Sequence, residues 1–535
     1  MRLARTLLPL LFAATTTGLT GCGGGEVTEG DPDSGPVVRG GTLTVAVDSD
    51  PGTLNPVIRT TALAGSIYGI LNDGLIKMNT DLDFEPSLAK RWFFSEDGLT
   101  LTYHLRDDVR WSDGEPFASR DVLVTYELFT NPDVPTPRRS NFDDIAGVAA
   151  PNDTTVVFTF HRRTQESLLR SAFPLMPAHA IEGRTPTEVQ SWDLNRMPIT
   201  NGPYRLARWE ANDRLVLERN PHYWDEPAYL DEIVFRVVPE EATRRLQLEI
   251  GEVDMIESVP NKDLERLRDD PEVQLKLVGP RFLGYLVYNL DNELLTDARV
   301  RNAISYAIDR RAFVEGLLFG YGRTIANPMT PIVAWAYNDE LEPHTRNLEV
   351  SRRLLAEAGF VDTDGDDIVE RDGVPLRFTV KTRTGDPVRE NGALILRNNL
   401  REVGIDVNTR MLELSTVLSQ VSSGDFDVYM GQVAAPISPD LSASFASDGG
   451  FNWGGYANPA VDALIERARG TVDRDEAAVL WKQVQELLYR DQPMTMLYAK
   501  DPPVGLRIEV RNATPNFLSP YEDVHRWWKT PDTGN

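Results

Sequence analysis

Cysteine and basic residues are scarce in this sequence. Cys22 is the one cysteine among 535 residues, so no disulfide can form within the chain, and the folded part must be stabilised by burial of apolar side chains. Lys and Arg number 55 against 81 Asp and Glu, which gives a formal net charge of −26. Such an acidic surface repels phosphate backbones and anionic lipid headgroups. We therefore exclude nucleic acid as a partner.

Long apolar runs are missing as well. The run near the N-terminus covers residues 7–14, far fewer than the roughly 20 apolar residues that a membrane-spanning helix needs. Two arginines precede this run and small residues follow it, which is the order of a secretory signal. Leu-Thr-Gly at 19–21, followed by Cys22, matches the bacterial lipobox, in which the cysteine thiol receives a diacylglycerol. We predict a signal peptide over residues 1–21 and a lipidated Cys22; the alternative is an ordinary signal peptide with an incidental cysteine.

The familiar catalytic motifs are also absent. The chain has no His-Glu-x-x-His, no Gly-x-Ser-x-Gly and no phosphate-binding glycine loop that ends in Lys-Ser or Lys-Thr. Its six histidines are scattered, with no pair at metal-ligand spacing. We expect no catalytic residue, no cofactor and no metal site. An exported hydrolase is a weak alternative, because it needs a nucleophile–base pair that the chain does not display.

The acidic segment 362–370 is the one stretch that resembles a metal-binding loop. Its three alternating aspartates look like the start of a calcium loop, in which side-chain oxygens converge on the ion. An EF-hand needs Gly at the sixth position and Glu at the twelfth, and these positions hold Asp367 and Gly373. We interpret the segment as a solvated acidic turn and not as a tight calcium site.

The sequence organisation indicates an α/β fold. Residues 22–40 are rich in Gly, Asp, Glu and Pro and are predicted to be a flexible tether. Alternating apolar residues predict a strand over 42–47. Apolar residues at helical spacing predict a helix within 297–318, with Thr296 as its N-cap.

A short helix–glycine–strand pattern occurs twice, at 248–256 and at 421–430. Glycine permits the left-handed conformation that ends a helix, and the apolar run that follows suits a buried parallel strand. One copy in each half of the chain indicates two α/β lobes, each with its own sheet.

Several stretches in order along the chain resemble one protein family. They are residues 95–117 with 121–122, 201–204 leading to 217–224, 297–310, and 354–360 with 455–459 and 461–462. Together they are similar to the family 5 extracellular solute-binding proteins, the oligopeptide, dipeptide and nickel receptors of ABC importers. The chain departs from the family at Thr200 and Asn201, where the usual sequence is Gly-Thr-Gly-Pro-Tyr.

The resemblance implies a two-lobed periplasmic-binding-protein-like fold of type II, in the large peptide-receptor class, with a hinge and a discontinuous first lobe. We place lobe I at 41–278 plus 500–535 and lobe II at 284–492. The implied function is to capture a peptide or related polar solute between the lobes and to deliver it to the permease of an ABC importer. The protein would be a monomer, extracytoplasmic and anchored to the cell membrane by its N-terminal lipid. A ligand-sensing lipoprotein of the same fold, without import, is the alternative.

Ligands of α/β sheets lie beyond the carboxyl ends of the strands. On this basis and on the resemblance, we predict that the ligand-binding residues are Ser49, Asp50, Tyr285, Gln432, Asp440 and Trp453.

The resemblance also implies something about the ligand. In dipeptide and oligopeptide receptors of the family, an Asp pairs with the α-ammonium of the peptide, and alignment on residues 438–440 puts Ala435 at that position. A buried ammonium needs a paired carboxylate. We therefore expect a blocked or longer peptide, or a non-peptide polar solute. Two alternatives remain open, namely that Asp440 replaces the missing carboxylate and that the alignment gap is misplaced.

Overall fold

The computed structural model describes residues 36–531, so Cys22, the predicted signal peptide and most of the predicted tether lie outside the described residues. The strands are β1 (Thr42–Val47), β2 (Ile76–Met78), β3 (Phe84–Pro86), β4 (Ala89–Phe94), β5 (Thr100–Leu105), β6 (Ile145–Asn152), β7 (Thr155–Phe160), β8 (Tyr204–Glu210), β9 (Arg214–Arg219), β10 (Glu232–Val237), β11 (Met255–Ile256), β12 (Val273–Leu277), β13 (Phe282–Tyr288), β14 (Gly322–Arg323), β15 (Glu370–Arg371), β16 (Val374–Pro375), β17 (Arg377–Arg383), β18 (Asp406–Leu412), β19 (Val428–Ala434), β20 (Met494–Lys500), β21 (Pro503–Arg507), β22 (Val510–Arg511) and β23 (Trp528–Lys529). The helices are α1 (Ala62–Leu71), α2 (Ser119–Thr130), α3 (Ser167–Ser171), α4 (Ala178–Ile181), α5 (Glu241–Glu249), α6 (Leu264–Arg268), α7 (Ala298–Ala307), α8 (Leu348–Glu357), α9 (Pro387–Arg401), α10 (Leu414–Ser422), α11 (Ser442–Phe445), α12 (Pro459–Gly470) and α13 (Arg474–Asp491). None of the helices within residues 36–531 has both the length and the apolar character needed to cross a bilayer.

The first sheet has the strand order β12-β21-β11-β1-β10-β9-β8. Its strand β1 has the predicted bounds and runs parallel to β10 and β11, so the carboxyl ends of these three strands lie at one edge. Strand β21 comes from the end of the chain and inserts between β11 and β12, antiparallel to both. This arrangement is what a lobe interrupted by a second lobe requires.

The second sheet has the strand order β14-β20-β13-β19-β17-β18. Strands β17, β18 and β19 are parallel, whereas β13 is antiparallel to β19 and β20. The carboxyl ends of β17, β19 and β20 therefore lie at the same edge as the start of β13. Strand β13 begins two residues before residue 284, and β20 follows residue 492, so this sheet includes residues outside the range predicted for lobe II.

The two helix–glycine–strand patterns are present as predicted. Gly251 lies between α5 and β11, and Gly424 lies between α10 and β19, with φ angles of 75° and 79°. Both angles are in the left-handed region, which a glycine adopts without the steric penalty of a Cβ. One copy feeds each large sheet.

The N-cap of α7 differs from the prediction. Asp297 caps this helix, because its carboxylate accepts a hydrogen bond from the Arg299 amide. The Thr296 hydroxyl donates instead to the carbonyl oxygens of Leu290 and Asn292, so it is not available to the helix. The helix also ends earlier than expected, at Ala307.

A third, smaller sheet is antiparallel and has the order β4-β5-β7-β6. Its core contains large buried aromatic side chains, among them Trp111, Phe129 and Phe158. The three sheets belong to one compact unit that begins at Val37. The boundaries of lobes I and II therefore stay a prediction.

Candidate functional site

The site that the sequence predicts lies where the two large sheets are joined. Two short chain segments connect them, residues 278–281 between β12 and β13 and residues 501–502 between β20 and β21. The segments are hydrogen-bonded to each other, because the Gly279 amide donates to the Asp501 carboxylate over 2.8 Å. On the first sheet, Ser49 and Asp50 follow β1 at the edge that flanks these segments, and on the second sheet Gln432 lies near that edge. Trp453 lies by the other end of β13, where the Leu290 amide donates to the Gly454 carbonyl oxygen.

At the edge of the first sheet, Asp50 is held by lobe I itself. Its carboxylate accepts hydrogen bonds from the amides of Gly52 and Asn212 and from Trp209 Nε1, at 2.8–2.9 Å. Burial opposes ionisation of Asp50, but these hydrogen bonds outweigh it and hold its pKa below the usual value. The hydroxyl of the neighbouring Ser49 donates to Asp48. Asp50 therefore shapes the loop that presents Ser49.

On the second sheet, Tyr285 and Trp453 flank a common aromatic neighbour. The Tyr429 ring lies edge-on to both, with centroids 6.2 Å from each. Tyr285 lies opposite Gly431, where a Cβ would come within 2.7 Å of its hydroxyl oxygen. A glycine is thus needed at 431 for the tyrosine ring to lie over the sheet.

Gln432 lies on the opposite face of the same sheet, because side chains alternate along a strand and Tyr285 pairs with Gly431. Its side-chain oxygen accepts a hydrogen bond from the Tyr498 hydroxyl at 3.3 Å. The Tyr498 ring covers Gly284, where a Cβ would come within 2.3 Å of it. Tyr285 and Trp453 therefore have the Tyr429 ring as a common neighbour, whereas Gln432 lies on the other face of the sheet from Tyr285.

Asp440 is neutralised within its own surroundings. Its carboxylate accepts the Ser442 amide and pairs with Arg469 Nε at 3.1 Å. Ala435 is buried, and its amide donates to the Arg281 carbonyl oxygen over 2.6 Å. Position 435 thus carries no carboxylate, and the nearby Asp440 is already paired.

The sequence reasoning missed a group of charged residues at the edge of the second sheet. Asp386 caps α9 and pairs with Arg389 at 2.6 Å, and the Arg389 side chain is only 7% exposed. Lys500 ends β20 nearby; burial lowers its pKa, opposed by the charges of Asp386 and of Glu241. Glu241 begins α5, which follows the first sheet's β10. The sequence signal for this group lies in residues 383–389, where a strand is followed by Gly-Asp-Pro, which is typical of a capped helix start, and then by an arginine.

The corresponding edge of the first sheet is acidic. Glu257 follows β11 and accepts a hydrogen bond from the Tyr521 hydroxyl. Burial raises the pKa of Glu257, and the neighbouring carboxylate of Asp48 raises it further. The first edge thus places two carboxyl groups near each other, and the second places Lys500 near the ion pair of Asp386 and Arg389.

The acidic turn holds a cluster of three carboxylates, one of which comes from Glu370. Carboxylate oxygens of Asp362, Asp364 and Glu370 lie within 4.8 Å of one another. Glu370 is the ninth residue of the segment, whereas an EF-hand takes its glutamate ligand from the twelfth position. Exposed acidic groups often cluster without an ion, and the absence of a tight calcium site stays a prediction.

Comparison with known proteins places this architecture. The sequence model of the family described as "Bacterial extracellular solute-binding proteins, family 5 Middle" matches residues 83–455. The oligopeptide-binding protein AppA of Bacillus subtilis (strain 168) is 26% identical over 529 residues, covering 95% of this chain and 96% of AppA. The structure of AppA from Bacillus subtilis in complex with a nonapeptide superposes with a TM-score of 0.75 at 26% identity, covering 92% of this chain and 100% of AppA. NikZ from Campylobacter jejuni in complex with Ni(L-His) gives a TM-score of 0.76 at 25% identity, covering 91% of this chain and 99% of NikZ.

The family match covers well over half of the chain, and the two structures share the mixed α/β fold over nearly its whole length. Members of this family bind solutes and are not enzymes. This chain belongs to the bacterial extracellular solute-binding proteins of family 5.

Proposed function

We propose that this protein is the substrate-binding lipoprotein of an ABC importer, and that it captures a peptide or related polar solute between lobes I and II. The observation that carries the proposal is that both sheet edges beside the connecting segments hold ionisable groups, Glu257 and Asp48 on the first and Lys500 on the second, in a chain that belongs to a solute-binding family. Ligand contacts from both lobes favour the closed state over the open one, and the closed state then docks on the permease.

The charges favour a polar solute with groups of both signs. Glu257 and Asp48 provide acceptors on the first sheet, and Lys500 provides a donor on the second. A dipolar solute can contact both edges at once, whereas an apolar solute desolvates these polar groups without adding a hydrogen bond or an opposite charge. That AppA is described as binding an oligopeptide supports a peptide.

The ligand is proposed to be a blocked or longer peptide, or a non-peptide polar solute. Ala435 supplies no carboxylate for an α-ammonium, and Asp440 is paired with Arg469. Tyr285, Gln432 and Trp453 remain the proposed ligand contacts of the second sheet, with Ser49 on the first. Asp50 is proposed to contact the ligand and to shape the loop that carries Ser49, and Asp440 is proposed as a further ligand-binding residue that is already paired with Arg469.

We also propose a monomer that is anchored outside the cytoplasm by a lipid on Cys22, with residues 22–40 as the tether. The lobes are proposed to close by rotation about residues 278–281 and 501–502, which are the two connections between the large sheets.

Mass spectrometry of the protein purified under native conditions tests this function. We expect a small polar solute to be carried through purification and to be released on unfolding. Absence of any carried solute, together with no stabilisation by peptide and polar-solute libraries, would contradict the proposal. Incubation with peptides is the control for hydrolysis, and we expect no cleavage.

A further inference from the structure

A cavity of about 340 Å³ opens between the β2–β3 hairpin and the loop that follows β19. One wall comes from the β2–β3 hairpin and the segment 163–169, and the other from residues near Trp335, the loop 437–439 and the segment 472–474. Apolar side chains dominate the lining; those used below are Leu82, Phe84, Leu169, Trp335, Ile437 and Val472.

A short stretch of chain leads from the edge of the second sheet to the cavity. Strand β19 ends at Ala434, and the next residue, Ala435, is fastened to Arg281 at the connection between the sheets. Ile437 follows two residues later and lines the cavity. A ligand that lies along this edge and extends past Ala435 toward Ile437 reaches the cavity.

The two walls are separate in sequence and are held together by polar contacts. The Ser438 hydroxyl donates to Glu166, and Arg474 pairs with Asp83. Trp335 packs its ring against the Arg474 guanidinium at 4.9 Å. A group bound in the cavity therefore contacts both walls and stabilises the state in which they meet.

We propose that this cavity is a subsite for one apolar side chain of an extended peptide ligand. The inference rests on the proposed function, and it narrows the ligand to peptides with an apolar residue at one fixed position. Pockets of about 300–1,000 Å³ with mostly apolar lining and a few polar groups are the usual form of ligand sites. A cavity of this size accommodates an aromatic side chain. Binding of that side chain removes both its own apolar surface and the apolar lining of the cavity from contact with water, which is favourable.

Calorimetry with a peptide series tests the subsite. The probes are an N-acetylated pentapeptide of alternating alanine and serine and the five versions in which phenylalanine replaces one residue in turn. Val472→Trp fills the cavity from one wall and Leu169→Trp fills it from the other. The matched control is Val479→Trp, because Val479 is 57% exposed on α13 and lies outside the cavity lining.

We expect one phenylalanine position to bind at least about 10-fold more tightly than the parent peptide, the effect of filling an apolar pocket. Both filling variants should remove this gain, whereas Val479→Trp should keep both the gain and the parent peptide's affinity. Because the two filling variants change opposite walls, the test can still be read if one of them fails to fold.

Two results would overturn the subsite while leaving the proposed function intact. In one, peptides bind but no position prefers phenylalanine; in the other, the preference survives in both filling variants. If the wild-type protein binds none of the peptides while a carried non-peptide solute is found, the peptide ligand and this subsite are both wrong.

Discussion

Leu82 offers a sharp test of how the two parts of the chain close on each other. It lies at the tip of the β2–β3 hairpin, is 8% exposed and belongs to the same apolar cluster as Val333 and Trp481. Its φ of 61° is in the left-handed region, which costs a residue with a Cβ roughly 1–2 kcal/mol. The burial of Leu82 against the far part of the chain therefore has to outweigh a local backbone penalty.

Leu82→Ala should shift the protein toward its open state. Truncation of a buried leucine costs about 2–5 kcal/mol, and we assign about 2 kcal/mol of this to closure because the contact is lost when the lobes separate. That free energy corresponds to about a 30-fold fall in the ratio of closed to open protein. Ligand affinity should weaken by up to the same factor, since only the closed state makes every ligand contact.

Leu82→Gly separates closure from folding. It removes the same closing contact, so its ligand affinity should match that of Leu82→Ala. Its free energy of unfolding should exceed that of Leu82→Ala by about 1 kcal/mol, because glycine adopts a positive φ without a Cβ penalty. Leu246→Ala is the control, since Leu246 is 49% exposed on α5.

Small-angle scattering of the protein without ligand, calorimetry with a carried or screened ligand and urea unfolding provide the three readouts. We expect a larger radius of gyration for both Leu82 variants and an unchanged one for Leu246→Ala. If both Leu82 variants keep wild-type dimensions and affinity, the hairpin is not a closing contact and the reasoning is refuted.

Three further predictions concern other parts of the chain. Burial raises the pKa of Asp73 to about 6, although hydrogen bonds from Trp224 and Tyr223 act to lower it. The stabilisation that the protonated carboxyl contributes is therefore fully present below the unfolded-state pKa of 3.8 and is lost as the pH rises through about 6. Relative to Asp73→Asn, the wild-type free energy of unfolding should therefore fall by up to about 3 kcal/mol between pH 4 and pH 7 in urea titrations, and parallel curves would contradict this. Cys22→Ser should move the protein from the membrane fraction to the soluble exported fraction, and retention in the membrane with export intact would show that the anchor is elsewhere. Calorimetric titration of the chelated protein should give no micromolar calcium isotherm, because calcium needs 6–8 oxygen ligands; an isotherm that Asp364→Ala abolishes would identify a calcium site at the acidic turn.

Local patterns were predictable from the sequence because their causes are local. Strand β1 follows from alternation of apolar residues, and the two glycines at 251 and 424 follow from the need for a left-handed residue where a helix ends. The family resemblance, carried by short motifs in order, was confirmed by the match over residues 83–455.

The remaining features depend on partners far apart in the sequence. Asp50 is fixed by Trp209, which is 159 residues away, and no local pattern announces that hydrogen bond. The exception is the N-cap of α7, because the Thr296 hydroxyl bonds to the Leu290 carbonyl oxygen only six residues away and leaves the cap to Asp297. The alternation along β19 decides that Tyr285 and Gln432 occupy different faces, and it becomes visible only once the register with β13 is known.

Thermal-shift screening of di- to pentapeptides, each with a free and an N-acetylated terminus, together with a library of small polar solutes, tests the central claim most directly. Binding to the folded state raises its apparent stability by an amount that grows with ligand concentration. We predict that at least one peptide or related polar solute raises the melting temperature and that acetylation does not abolish the effect, since Ala435 provides no carboxylate for a free amine. No stabilisation by any peptide or polar solute would contradict the receptor function, and strong stabilisation by free-amine peptides alone would contradict the proposed mode of recognition.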